Sequence, residues 1–168
     1  MDDATNGRYS RAPEFEDLLR LCKALNDQGV HYILIGGFAV IAHGFARATK
    51  DIDLLVDPSP KNIQKVKEAM SALPDNAASL ISDTEVQKYP VVRIADEIVV
   101  DLMAKACGIS YEEAKKGMEY FEVEGVKIPI AGKELLIRMK QTVRPSDKMD
   151  VEFLRQRIEA EKEDGSNE

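Results

Sequence analysis

The stretch whose reading decides the fold is Gly36-Gly37-Phe38-Ala39-Val40-Ile41-Ala42-His43-Gly44-Phe45-Ala46-Arg47-Ala48-Thr49-Lys50-Asp51-Ile52-Asp53-Leu54-Leu55-Val56-Asp57. A β-rich apolar run over 31–35 leads into the paired glycines, and 38–45 carries helix-compatible apolar spacing that Gly44 weakens. Over 51–57 the side chains alternate: Ile52, Leu54 and Val56 share one face, while Asp51, Asp53, Leu55 and Asp57 share the other. The order is strand, glycine turn, short helix, then a strand with one apolar and one acidic face.

The chain on either side extends this pattern. Residues 1–13 show no periodicity and are expected to form a flexible arm. Phe15, Leu18, Leu19, Leu21, Cys22 and Leu25 recur at helical spacing, which predicts an amphipathic helix over 14–28 stopped by Gly29. Pro58-Ser59-Pro60 breaks the acidic strand, and Ile63, Val66, Ala69, Met70 and Leu73 predict a packing helix over 62–73. Residues 74–88 read as mixed loop and short elements. Strands follow over 91–94 and 98–103, joined by a turn at Asp96-Glu97. Ser110 caps a short helix to 118, with Glu112 and Glu113 in its first turn as the helix dipole favours. Residues 121–130 predict a hairpin turning at Glu124-Gly125, with Pro129 setting its second strand near an edge. Helices are expected over 133–143 and, after Arg144-Pro145 and a Ser146 cap, over 146–161; 163–168 reads as a disordered acidic tail. The order gives one domain over 14–162, an α/β or α+β sheet with a helical C-terminal end.

Composition bounds the function. At 168 residues the chain is long enough for one real core, since chains near 150 residues bury about two-thirds of their unfolded surface. Apolar residues at 44% and charged residues at 32% describe a globular protein. The longest apolar run, 32–42, is too short for a bilayer, which needs roughly 20 residues, and the acidic N-terminus lacks the order of a secretory signal. With only Cys22 and Cys107, there is no disulfide framework, and the expected setting is a reducing cytoplasm without membrane attachment. A net charge of −7 speaks against an extensive nucleic-acid surface.

Three aspartates carry the chemistry. Asp51 and Asp53, at i and i+2 on a strand, point the same way roughly 7 Å apart, so both can aim at one point. Hard oxygen ligands of this kind suit Mg²⁺, although an Asp-x-Asp alone reads first as an exposed amphipathic strand. Asp101 interrupts the otherwise apolar Ile98-Val99-Val100-Asp101-Leu102-Met103, where a carboxylate is costly unless paired, hydrogen-bonded or metal-bound. Arg93 on the neighbouring strand is the alternative partner for Asp101. A third carboxylate beside the first two would complete a two-metal site, whose ions sit about 3.5 to 4 Å apart. Gly36 and Gly37 let bare backbone approach a phosphate at a helix N-terminus, or simply allow a tight turn with positive φ. Neither a Rossmann nor a Walker glycine pattern is present. His31 and His43 have no partner at ligand spacing.

The Gly36-Gly37 pair, Arg47-x-Thr49 ahead of Asp51-x-Asp53, and the strand-borne Asp101 resemble the nucleotidyltransferase superfamily related to DNA polymerase β. The pattern is most similar to bacterial minimal nucleotidyltransferases related to the AbiEii group of toxin-antitoxin and phage-abortive-infection proteins. Lys140 and the later Arg144-Pro145-Ser146-Asp147-Lys148-Met149-Asp150 also resemble that group's C-terminal lysine and Arg-Pro-x-Asp-x-x-Asp pattern. The resemblance implies an α+β nucleotidyltransferase fold, a small mixed sheet flanked by helices. It implies transfer of a nucleoside monophosphate from an NTP, ATP among them, to an acceptor left open, with Asp51, Asp53 and Asp101 as catalytic metal ligands. Two Mg²⁺ ions, or Mn²⁺ in their place, would be the cofactors. Gly36 and Gly37 would hold the triphosphate, and Arg47, Thr49 and Lys140 are its further candidate contacts, each with a structural alternative. Arg47 and Thr49 can instead steady the loop, Lys140 can be a solvated helix lysine, and Asp147 and Asp150 read as helix capping and ion pairing. Two other functions fit: a nucleotidyltransferase-like half of a toxin-antitoxin pair that binds an antitoxin-type partner, and an antibiotic nucleotidyltransferase whose acidic surface draws cationic drugs.

Overall fold

A computed structural model describes residues 10–166. The first helix, α1 (Phe15–Asp27), starts where the Glu14 N–H donates to Asp17 Oδ2 at 2.7 Å and ends at Gly29 with φ +70. Leu18, Leu21, Cys22 and Leu25 are buried, as their spacing predicts, whereas Phe15 stays 42% exposed. Strand β1 (Tyr32–Ile35) is buried throughout and runs directly into α2 (Gly36–Ala42). After β2 (Asp51–Val56), Ser59 caps α3 (Pro60–Met70) by accepting the Asn62 N–H.

Residues 74–88, unreadable in sequence, form a short 3-10 turn (Ala77–Leu80) and one helical turn, α4 (Glu85–Lys88). Buried Asp96 organises the start of this segment, because its carboxylate accepts the N–H groups of Asp75 and Ala77 at 3.0 and 2.8 Å. Strands β3 (Val92–Ala95) and β4 (Val99–Met103) flank that Asp96 turn as expected.

A two-residue ribbon, β5 (Lys105–Ala106) and β6 (Ile109–Ser110), turns through Cys107 and Gly108, both at positive φ. The Ser110 cap is present, but its helix α5 (Tyr111–Ala114) gives way to a 3-10 turn at Lys115–Gly117 rather than reaching 118. Strands β7 (Met118–Val123) and β8 (Val126–Ala131) then turn at Glu124 and Gly125, both left-handed at φ 50 and 79. Helix α6 (Lys133–Met139) stops before 143, and α7 (Pro145–Ser166) continues past 161. The acidic tail expected over 163–168 is therefore helical through Ser166; residues 167–168 lie outside the described residues.

The six long strands form one mixed sheet in the order β3-β4-β2-β1-β8-β7. β2 runs antiparallel to β1 and parallel to β4, β3 is antiparallel to β4, and β8 joins β1 in parallel and β7 antiparallel. Pro129 thus lies in an interior strand, with β7 as the edge. The parallel contact of β8 with β1 is short, centred on Leu34 and Ile130, so the N–H that proline lacks is little missed. Helices α1 and α3 pack together, and α6 packs on both α2 and α7.

Of the arm expected over 1–13, residues 1–9 lie outside the described residues. Residues 10 and 11 are docked: Ser10 Oγ donates to the Asp96 carbonyl at 2.6 Å and the Arg11 N–H to the Glu97 carbonyl at 2.9 Å. The Arg11 guanidinium forks onto Asp17 at 2.6 and 2.8 Å. No described helix is long and apolar enough to cross a membrane.

Candidate active site

Strand register alone brings the site together. Parallel pairing of β2 with β4 sets Asp53 opposite Asp101, and antiparallel pairing of β3 with β4 sets Arg93 opposite Asp101. Residues paired across strands share a face, as do Asp51 and Asp53 by alternation. All four side chains therefore stand on one face, while Ile52, Leu54, Val100 and Leu102 are fully buried on the other. Carboxylate oxygens of Asp51, Asp53 and Asp101, one from each, lie within 4.8 Å of one another. The sequence expectation that a distant Asp101 joins the Asp-x-Asp pair is met in space.

The alternative reading of Asp101 is met as well. Arg93 Nε and Nη2 donate to its two carboxylate oxygens, each at 2.9 Å, and Nη2 also reaches Asp51 Oδ2 at 3.3 Å. One guanidinium does not balance three carboxylates. Burial, then repulsion from Asp51 and Asp101, pushes the Asp53 carboxyl up to about 7, against which Lys140 and Arg144 act only partly. Burial, then Asp101, also raises Asp51. A cluster of hard oxygen donors that holds excess negative charge at this cost is the donor set a divalent cation requires. Beside it lies a cavity of about 490 Å³ lined by Ser10, Arg11, Ala12, Lys50, Asp51, Arg93 and Val99.

The glycines have a geometric reason inside the protein. Gly36 sits at φ +71, and a Cβ there would fall onto the Asp53 carboxylate, with its Cβ and Cγ at 2.8 Å. A Cβ on Gly37 would stand 2.6 Å from Thr49 Oγ1 and 3.1 Å from Arg47 Nη2. The turn at positive φ is thus real, and it also seats Asp53 at the start of α2, whose first N–H groups have no partner within the helix.

Arg47 and Lys140 occupy a second cluster, along the seam between α6 and α7, while Thr49 stays beside Gly37 and β2. Arg47 Nε and Nη2 each donate to Asp150 at 2.9 Å. Lys140, 8% exposed rather than solvated, pairs with Asp150 at 2.9 Å and Asp147 at 3.3 Å. Asp147 also accepts from Thr142 Oγ1 at 2.6 Å and Arg144 Nε at 2.8 Å. The sequence reading took Asp147 and Asp150 as helix-end ion pairs; they are buried at 3% and 0% exposure and hold the seam. The signal was available: they lie four residues before buried Val151 and Leu154, on the core face of α7. Thr49 Oγ1 donates to the Asp51 carbonyl at 3.2 Å. His43 is buried, bonds the Ala131 carbonyl through Nε2 at 2.9 Å and meets Phe121 edge-on, and burial lowers its pKa.

Comparison with known proteins bears on the fold and the family. The structure of an inferred nucleotidyltransferase, TM1012 from Thermotoga maritima, superposes with a TM-score of 0.52 at 16% identity, covering 90% of this chain and 97% of that one. The lincosamide antibiotic adenylyltransferase LnuA, solved with lincomycin bound, gives 0.53 at 17% identity, covering 87% and 98%. Both likenesses show the fold. No curated protein sequence gives a match. The family model for "Nucleotidyl transferase AbiEii toxin, Type IV TA system" matches residues 18–130, the span from α1 through β8 that carries the aspartates. The chain therefore belongs to the AbiEii nucleotidyltransferase family.

Proposed function

We propose that the protein is a Mg²⁺-dependent nucleotidyltransferase that moves a nucleoside monophosphate from an NTP such as ATP to the hydroxyl of an acceptor. The observation that carries this reading is the convergence of Asp51, Asp53 and Asp101 under one counter-charge. Asp51, Asp53 and Asp101 would hold Mg²⁺ as two ions, with Mn²⁺ able to replace them, and ions held there would supply charge stabilisation for the attacking and leaving oxygens. Asp101 accepts the proton of the acceptor hydroxyl, whose oxygen forms a bond to the α-phosphorus. The bond between that phosphorus and the bridging oxygen breaks, and pyrophosphate leaves with the electron pair.

The first-turn N–H groups of α2 at Gly36 and Gly37 seat the triphosphate. Thr49 and Arg47 already close on Gly37, so a phosphate there has them as neighbours. Arg47 and Lys140 reach it by exchanging part of their hold on Asp150 for phosphate oxygens. The likeness to an antibiotic adenylyltransferase is one of fold and assigns no drug to this chain. A second reading is favoured by the family's description as the toxin of a toxin-antitoxin system: an antitoxin-type protein partner in the cytoplasm.

Two measurements test these readings. Asp53→Asn is expected to fold and to lose transfer of a labelled nucleotide by about a thousandfold or more. Transfer at the wild-type rate would remove the triad from the mechanism. Mass spectrometry after incubation with each NTP, Mg²⁺ and cell extract, with lincosamides and aminoglycosides added in parallel, identifies the added nucleotide and its carrier. Co-purification of a small protein with no nucleotide added to anything would leave the partner reading in place of catalysis.

A further inference from the structure

Arg93 touches the proposed metal ligands, yet the chemistry above assigns it no role. Its guanidinium spans both oxygens of Asp101 and reaches Asp51, so it engages two of the three carboxylates directly. Among the described residues no other cationic side chain forms an ion pair with the triad. Arg93 takes up a lone pair on each Asp101 oxygen and on Asp51 Oδ2, for which a divalent cation would compete, and a guanidinium a few ångströms from such an ion would be strongly repelled.

Two features make the contact reversible. The Arg93 side chain is 60% exposed, so leaving the carboxylates does not strand a buried charge. It also borders the 490 Å³ cavity together with Lys50 and Val99, which gives it open space to turn into. The backbone needs no change, because Arg93 stays paired with Asp101 in the β3–β4 ladder.

We propose that Arg93 is a resident counter-ion for the metal site: it holds Asp51 and Asp101 in register in the metal-free protein and swings into the adjoining cavity when a divalent cation takes the triad. This rests on the reading of the triad as a metal site. Arg93 pairing and metal occupancy are then negatively coupled, and the coupling is reciprocal. Each weakens the other by the same factor. The device keeps three carboxylates from facing one another unneutralised and makes the protein release the site only to an ion that outcompetes a guanidinium.

The test uses Mn²⁺ alone as the probe, without nucleotide, on the wild type, Arg93→Met and Arg93→Lys. Calorimetry is expected to show Arg93→Met binding Mn²⁺ about tenfold more tightly than the wild type, with Arg93→Lys between them. Thermal unfolding adds a second readout: Arg93→Met melts lower without metal, and the gap closes at saturating Mn²⁺, where Arg93 no longer supports the carboxylates. Equal or weaker Mn²⁺ binding by Arg93→Met, or a melting gap that persists with Mn²⁺, overturns the inference while leaving the metal site intact. Absence of Mn²⁺ binding by all three proteins overturns the metal reading and this inference with it.

Discussion

Two clusters of charge lie within one sheet-and-helix unit, and they are balanced in opposite ways. Along the α6–α7 seam, Asp147 and Asp150 are met by Lys140, Arg47 and Arg144, and all five charges find short-range partners. On the β2–β4 face, Asp51 and Asp101 share Arg93, and Asp53 beside them is left with a carboxyl pushed up to about 7. Both clusters hold aspartates in protected surroundings. Matched charges at the seam hold helices together, whereas the carboxylates on the sheet keep a repulsion that one arginine relieves only in part. The residue type does not separate the two sets of aspartates; the local charge balance does.

The comparison breaks first at the seam. Asp150→Ala leaves Arg47 without its carboxylate and buried Lys140 with Asp147 alone, and breaking this buried ion-pair network on one side is expected to cost about 3 kcal/mol. Urea unfolding reads this directly. Asp53→Asn should show no such loss without metal, so a comparable destabilisation from both substitutions would erase the distinction between the clusters.

A smaller effect tests the seat of Asp53. Gly36→Ala places a methyl against the Asp53 carboxylate in a backbone conformation that alanine resists, at an expected cost of about 1 to 3 kcal/mol. Thermal unfolding and Mn²⁺ titration should both register it. Wild-type values in both would mean that the close approach of α2 to Asp53 relaxes freely.

The mildest test is pH. Asp53 keeps its proton in the folded protein up to about 7, while an unfolded chain releases it near the ordinary carboxyl value of 3.8. The folded state therefore binds the extra proton between those values, so the Asp53 contribution is fully present below the lower one. It is lost progressively as pH rises towards 7 and is flat above. The metal-free wild type should lose stability relative to Asp53→Asn as pH rises through this window. Parallel stability curves for the two proteins would show that Asp53 is not strained by its neighbours.

The part of the fold that carries the triad was legible because its signals are local. Period-two alternation set Asp51 and Asp53 on the face opposite Ile52 and Leu54, and a lone carboxylate in an apolar run marked Asp101. Glycine at a left-handed position announced both the end of α1 and the 124–125 turn. What stayed hidden depends on long-range partners. The order of strands, which puts Pro129 inside the sheet, is decided by the pairing of β1 with β8 across the chain. Residues 74–88 have little periodicity of their own and take their start from the Asp96 carboxylate about twenty residues on. The burial of Lys140 was hidden because its two aspartates come from the next helix, so the sequence offered only a phosphate contact or a solvated lysine.

The parallel pairing of β2 with β4 also bears on how the protein comes to be active. Arg93 and Asp101 belong to neighbouring strands joined by a tight turn, so their fork can close early, as local hairpins do. Asp51 and Asp53 join them only when β2 and β4 meet across the intervening helix and loop, a contact that must first overcome the entropy of closing a long loop. A nascent or partly folded chain can hold the arginine–aspartate pair without holding the three-carboxylate site. Assembly of the three-carboxylate cluster is thus a late folding event, completed when the central strands of the sheet come together.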